Sequence, residues 1–388
     1  MLRSQFDDLI GQILDQCPAL SDIICTVGKP VQAEVYGDLQ DTRLDPDPGR
    51  LLPWHLECMT NCLLSGNMRL YSDLIHRGSC DLSYELQGRA RFRVNIFQQK
   101  GSLALVMRQL PSRIPSLADL KLPAVFQDMS REKYGMILVT GGTGTGKSTS
   151  LAALVDAINV QSSKHILTLE DPIEFVHPHK QGVINQREFG IDFDSFASGL
   201  RAALRQAPKV ILVGEIRDKE TIGIALEAAE TGHLVLGTLH TSDAAQTINR
   251  IIGMFELSEE RLIRGRLAES LKYVVSQRLM PKKDGGRLAA FEVLVNTIRI
   301  RELIVNGEDQ EKTFPSVIQA GSTYGMISFD QYLTDLFKKE LITEEIAMLN
   351  GSDKAALAQM IDKIKAERGE KVTDIEGLEL DVDYDREQ

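Results

Sequence analysis

The sequence predicts an α/β fold: a small α+β unit, then a larger strand–helix–strand unit with a helical C-terminal part. Three observations carry this reading. Residues 136–140 form an apolar run that reads as a buried strand, a glycine-rich loop follows, and residues 149–158 read as a helix with Leu151, Leu154, Val155 and Ile158 on one face. Further apolar runs recur at 165–169, 210–213 and 234–239, as in a mostly parallel sheet flanked by helices. Before residue 110 the strand-like runs alternate polar and apolar, as half-buried antiparallel strands do.

The elements follow in order. Leu2, Phe6, Leu9, Ile10 and Ile13 give residues 2–16 the spacing of an amphipathic helix. Residues 22–28 and 32–37 read as strands, and Asp45-Pro46-Asp47-Pro48-Gly49 as a loop. A helix is predicted near 56–64, then strands at 81–87, 90–98 and 103–109. Pro111, Pro115 and Pro123 mark 111–124 as a linker. Beyond about residue 258 the pattern reads as largely helical, over 259–277, 299–306 and 329–339. From residue 369 the chain is charged and poor in aromatics, which predicts a disordered tail.

A chain of 388 residues with 43% apolar content can bury a sizeable core, and its length suggests two or three domains. Its net charge is −11, and residues 374–388 hold seven acids against Arg386. The body is thus only mildly acidic, which argues against direct nucleic-acid binding through a dominant basic surface. No apolar run approaches the roughly 18 residues of a transmembrane span, and Asp7, Asp8 and Asp15 interrupt the first apolar stretch, unlike a signal peptide. All five cysteines fall in the first 80 residues without C-x-x-C spacing, as expected of reduced thiols.

Gly141-Gly142-Thr143-Gly144-Thr145-Gly146-Lys147-Ser148 matches the phosphate-binding pattern G-x-x-x-x-G-K-[ST] in full. Glycines let backbone N–H groups turn inward on phosphates, and the helix N-terminus adds partial positive charge. In such a loop Lys147 reaches the β- and γ-phosphates of ATP and the Ser148 hydroxyl ligates Mg²⁺. Thr149, next in the chain, joins the residues expected to hold nucleotide.

Carboxylates follow at strand ends. Thr168-Leu169-Glu170-Asp171-Pro172-Ile173-Glu174-Phe175 places Glu170 where a group that orients or deprotonates water is needed. Val210-Ile211-Leu212-Val213-Gly214-Glu215 resembles a Walker B strand with Gly214 at the usual aspartate position, which leaves Glu215 as the acid for Mg²⁺. His233 and His240 bracket one apolar strand and could donate to a phosphate or an acidic neighbour, or be satisfied structural histidines. Arg89, Arg91 and Arg93 alternate, so a strand would put them on one face, with Arg108 able to join them; that face calls for an anion, either ATP or paired acids.

Together these motifs resemble those of the secretion-superfamily ATPases, in particular the type IV pilus retraction ATPases of the PilT/PilU family, over roughly residues 20–350. Leu204 to Arg217, Ala228 to His240 and Ala90-Arg91-Phe92-Arg93-Val94-Asn95 carry the resemblance. It implies a PAS-like α+β N-terminal domain (1–110), the linker (111–124), a RecA-like P-loop ATPase domain with a helical C-terminal region (125–368) and the acidic tail (369–388). It also implies catalytic roles for Glu170, Glu215, His233 and His240, and nucleotide contacts from Arg93 and Arg108. The expected assembly is a homohexamer on the cytoplasmic side, peripheral to the inner membrane at the pilus base. There it would act on an inner-membrane platform protein, with a paralogous retraction ATPase as a further partner.

Two features favour retraction over pilus extension or type II secretion. No cysteine follows Cys80, whereas those branches carry a four-cysteine zinc insert, and only residues 1–140 precede the loop, too few for their long extra N-terminal domain. The retraction branch's Ala-Ile-Arg-Asn-Leu-Ile motif reads here Arg299-Ile300-Arg301-Glu302-Leu303-Ile304. Ser328-Phe329-Asp330-Gln331 is closer to the PilU branch and residues 203–252 to PilT, so both branches, and a weakly hydrolysing accessory subunit, stay open.

Overall fold

The computed structural model describes residues 1–370, so the expected acidic tail lies outside the described residues from 371 on. The chain forms two compact units: one of residues 1–122, 126–134 and 148–237, the other of 123–125, 135–147 and 238 onward.

The first unit opens with α1 (Arg3–Gln16), β1 (Leu20–Thr26), β2 (Gln32–Val35) and β3 (Asp38–Asp41). Then come α2 (Pro53–Leu64), α3 (Met68–Arg77), β4 (Ser79–Leu86), β5 (Ala90–Gln99) and β6 (Ser102–Leu110). Phe6, Ile10 and Ile13 are buried one turn apart on α1 and share a core with Leu56 and Met59 of α2 and Phe92, Val94 and Ile96 of the sheet. Pro53 starts α2, where its missing N–H costs nothing. Asn67 caps α3 by accepting from Arg69 N and Leu70 N. The six strands pair antiparallel in the order β3-β2-β1-β6-β5-β4. On β5, Ala90, Phe92, Val94 and Ile96 point into the core and the intervening residues point away.

Residues 111–124 contain neither helix nor strand, and α4 (Val125–Arg131) follows. The chain next makes β7 (Gly135–Thr140), which belongs to the second unit, and returns through α5 (Lys147–Gln161). There follow β8 (His165–Glu170), β9 (Val183–Glu188), α6 (Phe196–Ala203), β10 (Val210–Val213), α7 (Lys219–Glu230) and β11 (Leu234–Leu239). These strands pair parallel in the order β11-β10-β8-β9. β10 and β11 are buried at every position, as strands covered on both faces must be.

The second unit adds α8 (Ala244–Ile252), α9 (Glu260–Ser270), β12 (Leu271–Pro281), β13 (Arg287–Val295) and α10 (Ile298–Asn306). It continues with α11 (Phe314–Ala320), α12 (Phe329–Lys338), α13 (Glu344–Asn350) and α14 (Lys354–Glu367). β12 lies parallel to β7 and antiparallel to β13. This corrects the helix expected over 259–277: α9 stops at Ser270, and β12 begins at the next residue, Leu271. Val274 and Val275 are β-branched and fully buried, and the two partner strands supply backbone hydrogen bonds that no local pattern reveals. Residues 299–306 and 329–339 are helical as expected, within a residue at their ends.

Candidate functional site

The glycine loop joins β7 to α5. Gly141, Gly144 and Gly146 adopt φ of +144°, +78° and +90°, a region other residues enter at a cost. Gly141 also lacks room, since a β-carbon there would meet the Gln277 carbonyl oxygen at 2.4 Å. Lys147 is buried, and its Nζ donates to the carbonyl oxygens of Gly141 and Gly142, each at 2.8 Å, so the ammonium is held against the loop. Thr145 Oγ1 donates to Gly142 O at 2.9 Å. Gln277 of β12, itself buried, donates Nε2 to Thr145 O at 2.7 Å. This brace lies in the stretch 259–277 that the sequence predicts as helix, a prediction that hides it. Ser148 is exposed and Thr149 half-buried on the first turn of α5, whose 15 residues direct a positive helix end at the loop.

Glu170 ends β8. Its Oε1 accepts from Thr168 Oγ1 at 2.6 Å and from Gln186 Nε2 of β9 at 3.0 Å. Burial raises its carboxyl to about 7, against the lowering effect of these two hydrogen bonds. Burial also raises Asp171, with Arg217 and Arg93 opposing it. Gly214 follows β10, and its N–H donates to Leu169 O at 2.7 Å. A β-carbon on Gly214 would stand 2.9 Å from that oxygen and 3.2 Å from Glu170 Cα. Glycine at the Walker B aspartate position is therefore a packing requirement. Glu215 Oε2 accepts from Arg217 Nη2 at 2.6 Å.

The histidines separate in role. His233 is half-buried before β11, and its Nδ1 is 3.0 Å from Ala228 O, so this nitrogen carries the proton and holds the turn after α7. His240 is exposed just beyond β11.

The arginine row differs from the expected three-residue face. Arg89 lies in the turn before β5 and pairs with Asp15 of α1. Arg93 and Arg108 sit directly opposite each other on β5 and β6. Each has an acid of its own sheet: Asp81 lies 3.9 Å from Arg93, and buried Asp22 lies 2.9 Å from Arg108. Arg91, opposite Glu85 in the register of β4 and β5, pairs with Glu188 of β9 at 2.8 Å. Sequence reasoning missed Glu188 and Gln186. The β-branched pair Val183-Ile184, set between Gly182 and Gly190, is the signal that could have found their strand.

Among the described residues no group of three or more His, Cys, Asp or Glu could hold a metal ion. Ser148 is exposed and Glu215 is half-buried, and each carries an oxygen of the kind Mg²⁺ takes.

Residues 80–324 match the model of the family described as type II/IV secretion system protein. The type IV pilus retraction ATPase PilT of Pseudomonas aeruginosa is 42% identical over 87% of this chain and 95% of its own length. The type IV pilus ATPase PilU of the same organism is 36% identical over 94% of both. Among solved structures, the pilus retraction motor PilT with bound ADP superposes with a TM-score of 0.79 at 41% identity, covering 92% of this chain and 98% of that one.

Proposed function

Because the chain belongs to the type II/IV secretion system protein family, we propose that it is an ATP-hydrolysing motor that powers type IV pilus retraction. The observation that carries this reading is the end-to-end match to a retraction ATPase, over 95% of that protein's length. The ADP held by the similar solved structure supports nucleotide as the ligand.

In this reading the amides of residues 141–148 and the Lys147 ammonium grip the triphosphate of ATP, with Thr149 alongside. Ser148 and Glu215 hold Mg²⁺, which supplies charge neutralisation on the phosphates. Glu170 orients the attacking water and accepts its proton, a role its raised pKa suits. His233 and His240 frame the strand beside this chemistry, while Arg93 and Arg108 exchange their acid partners for phosphate oxygens. Most of the acceleration comes from positioning and charge stabilisation.

The functional division is the one the motifs suggest: a PAS-like domain over 1–110, a linker over 111–124 and the ATPase domain over 125–368. The motor works as a homohexamer at the cytoplasmic base of the pilus, peripheral to the inner membrane, against a platform protein in that membrane. No helix among the described residues is long and apolar enough to cross a membrane. The match to PilU favours a second reading, a subunit that assists a paralogous retraction ATPase.

Two measurements test the proposal: ATPase activity with oligomer mass on one purified sample, and pili in a deletion strain. Hydrolysis by a six-subunit species, with hyperpiliated, non-twitching cells, is the expected result. Bald cells would move the assignment to pilus extension, and negligible hydrolysis relieved by the paralogue would move it to the accessory role.

A further inference from the structure

Glu188 occupies an unusual position. It faces Glu170 in the parallel register of β8 and β9, and Phe189 N donates to Glu170 O at 2.8 Å, so the two residues share a ladder. Its buried carboxylate is held from two sides. Oε2 accepts from Ile173 N of the acidic box at 3.2 Å and from Arg91 Nη2 at 2.8 Å. Oε1 accepts from Ser83 Oγ of β4 at 2.7 Å. Two residues earlier on the same strand, Gln186 holds Glu170 itself.

The Arg91–Glu188 pair is also the least exposed of the ion pairs in the arginine row, at 16% and 6%. A carboxylate buried to that degree is strongly destabilised if its cation leaves. Arg93 is 49% exposed and its Asp81 is 58% exposed, whereas Arg108 pairs with buried Asp22 but is itself 70% exposed, so in the arginine row only the Arg91–Glu188 pair has both partners withdrawn from solvent. Nearby Arg69 reaches Asp194 at 2.7 Å, but that carboxylate is 92% exposed and its pairing is correspondingly weak.

We propose that Arg91 is a positioning residue for ATP hydrolysis: its ion pair with Glu188 fixes the β9 strand that orients Glu170, and so couples the β4–β5 hairpin to the acidic box. This rests on the reading of Glu170 as the carboxylate that steers water. The rigid fork of the guanidinium transmits any displacement of the hairpin to β9, because the pair cannot part without exposing Glu188 to a dry, unpaired state. Arg91 touches no substrate in this scheme. It acts through Glu188, Ile173 and the ladder.

The test uses the full-length protein in its assembled form, with steady-state hydrolysis and titration of a fluorescent ATP analogue. Arg91→Ala should lower kcat about tenfold or more while the nucleotide Kd moves by less than about threefold, the signature of an interaction needed only in turnover. Arg91→Lys should recover part of the loss, and Arg69→Ala should leave kcat within about twofold. Because Arg91→Ala strands a buried carboxylate, the pair Arg91→Met with Glu188→Gln is measured beside it. That double variant removes both charges at similar volume and should fold, yet turn over at the same low rate. Wild-type kcat in the double variant, or losses of kcat matched by equal losses of nucleotide-binding stoichiometry, would overturn the proposal. Wild-type protein that binds ATP without hydrolysing it would overturn the Glu170 assignment, and this inference with it.

Discussion

Gly214 lies against Glu170 with no space for a side chain between them: a β-carbon on Gly214 would be 3.2 Å from Glu170 Cα and 2.9 Å from the Leu169 carbonyl oxygen. Both obstacles are backbone, so neither can swing away. Gly214→Ala should therefore displace the end of β8, cost about 1–3 kcal/mol of stability and lower kcat with little change in nucleotide affinity. Gly223 of α7 is the control, because nothing lies within 4 Å of its missing β-carbon. Gly223→Ala should stabilise the protein by roughly 0.5–1 kcal/mol through helix propensity. Thermal melts and ATPase assays on the two variants separate the effects, and equal behaviour would refute the packing account of Gly214.

The contrast shows what sequence can and cannot reveal. The loop 141–148, the end of β8 and the end of β10 were legible because each is a local pattern: glycines at fixed offsets, an apolar run, then an acid. The tenancy of Gly214 was legible only as an oddity, since its cause is the backbone of another strand. The strand β12 was misread because residues 259–277 spread their apolar positions in a way a helix also satisfies. Two partner strands decide the matter, and β13 lies later in the chain. Glu188 was missed for a related reason, as its main partner, Arg91, is 97 residues away.

Glu170 should impose an acid limb on turnover. Its raised carboxyl, near 7, must be ionised to accept a proton, so kcat should climb as pH rises through about 6 to 8 and level off above. Glu170→Gln keeps the hydrogen-bonding shape but cannot take the proton. We expect a loss of about a hundredfold or more in kcat, with ATP bound as before. A wild-type kcat that is flat from pH 6 to 8, or a brisk Gln variant, would exclude Glu170 as the base.

Gln277 braces the phosphate loop from outside the motif. Removing its side chain leaves the Thr145 carbonyl without the 2.7 Å donor and opens a buried space beside Gly146, whose β-carbon position is only 2.9 Å from Gln277 Nε2. Gln277→Ala should weaken nucleotide binding about five- to fiftyfold, the equivalent of roughly 1–2 kcal/mol, by loosening the loop. Calorimetric titration with ADP checks it; affinity equal to wild type would show that the loop keeps its shape unaided.

Glu292 provides a test of stability against pH in the second unit. Its Oε1 accepts from Ala244 N at the start of α8 at 2.9 Å, and burial raises its carboxyl from 4.5 to about 7. The nearby acids Asp243 and Asp330 raise it further, while the Ala244 hydrogen bond and Arg278 lower it. The folded protein thus binds this proton more tightly than the unfolded chain does. Stability contributed by the protonated acid is full below about pH 4.5, falls as pH rises towards 7 and stays reduced above it, by roughly 3 kcal/mol in all. Glu292→Gln keeps an acceptor for Ala244 N without the charge, so the variant should melt several degrees above wild type at pH 8, with the gap closing near pH 5. Melting curves for both proteins at the two pH values decide the point: a gap of the same size at pH 5 would trace the gain to packing and not to the buried charge.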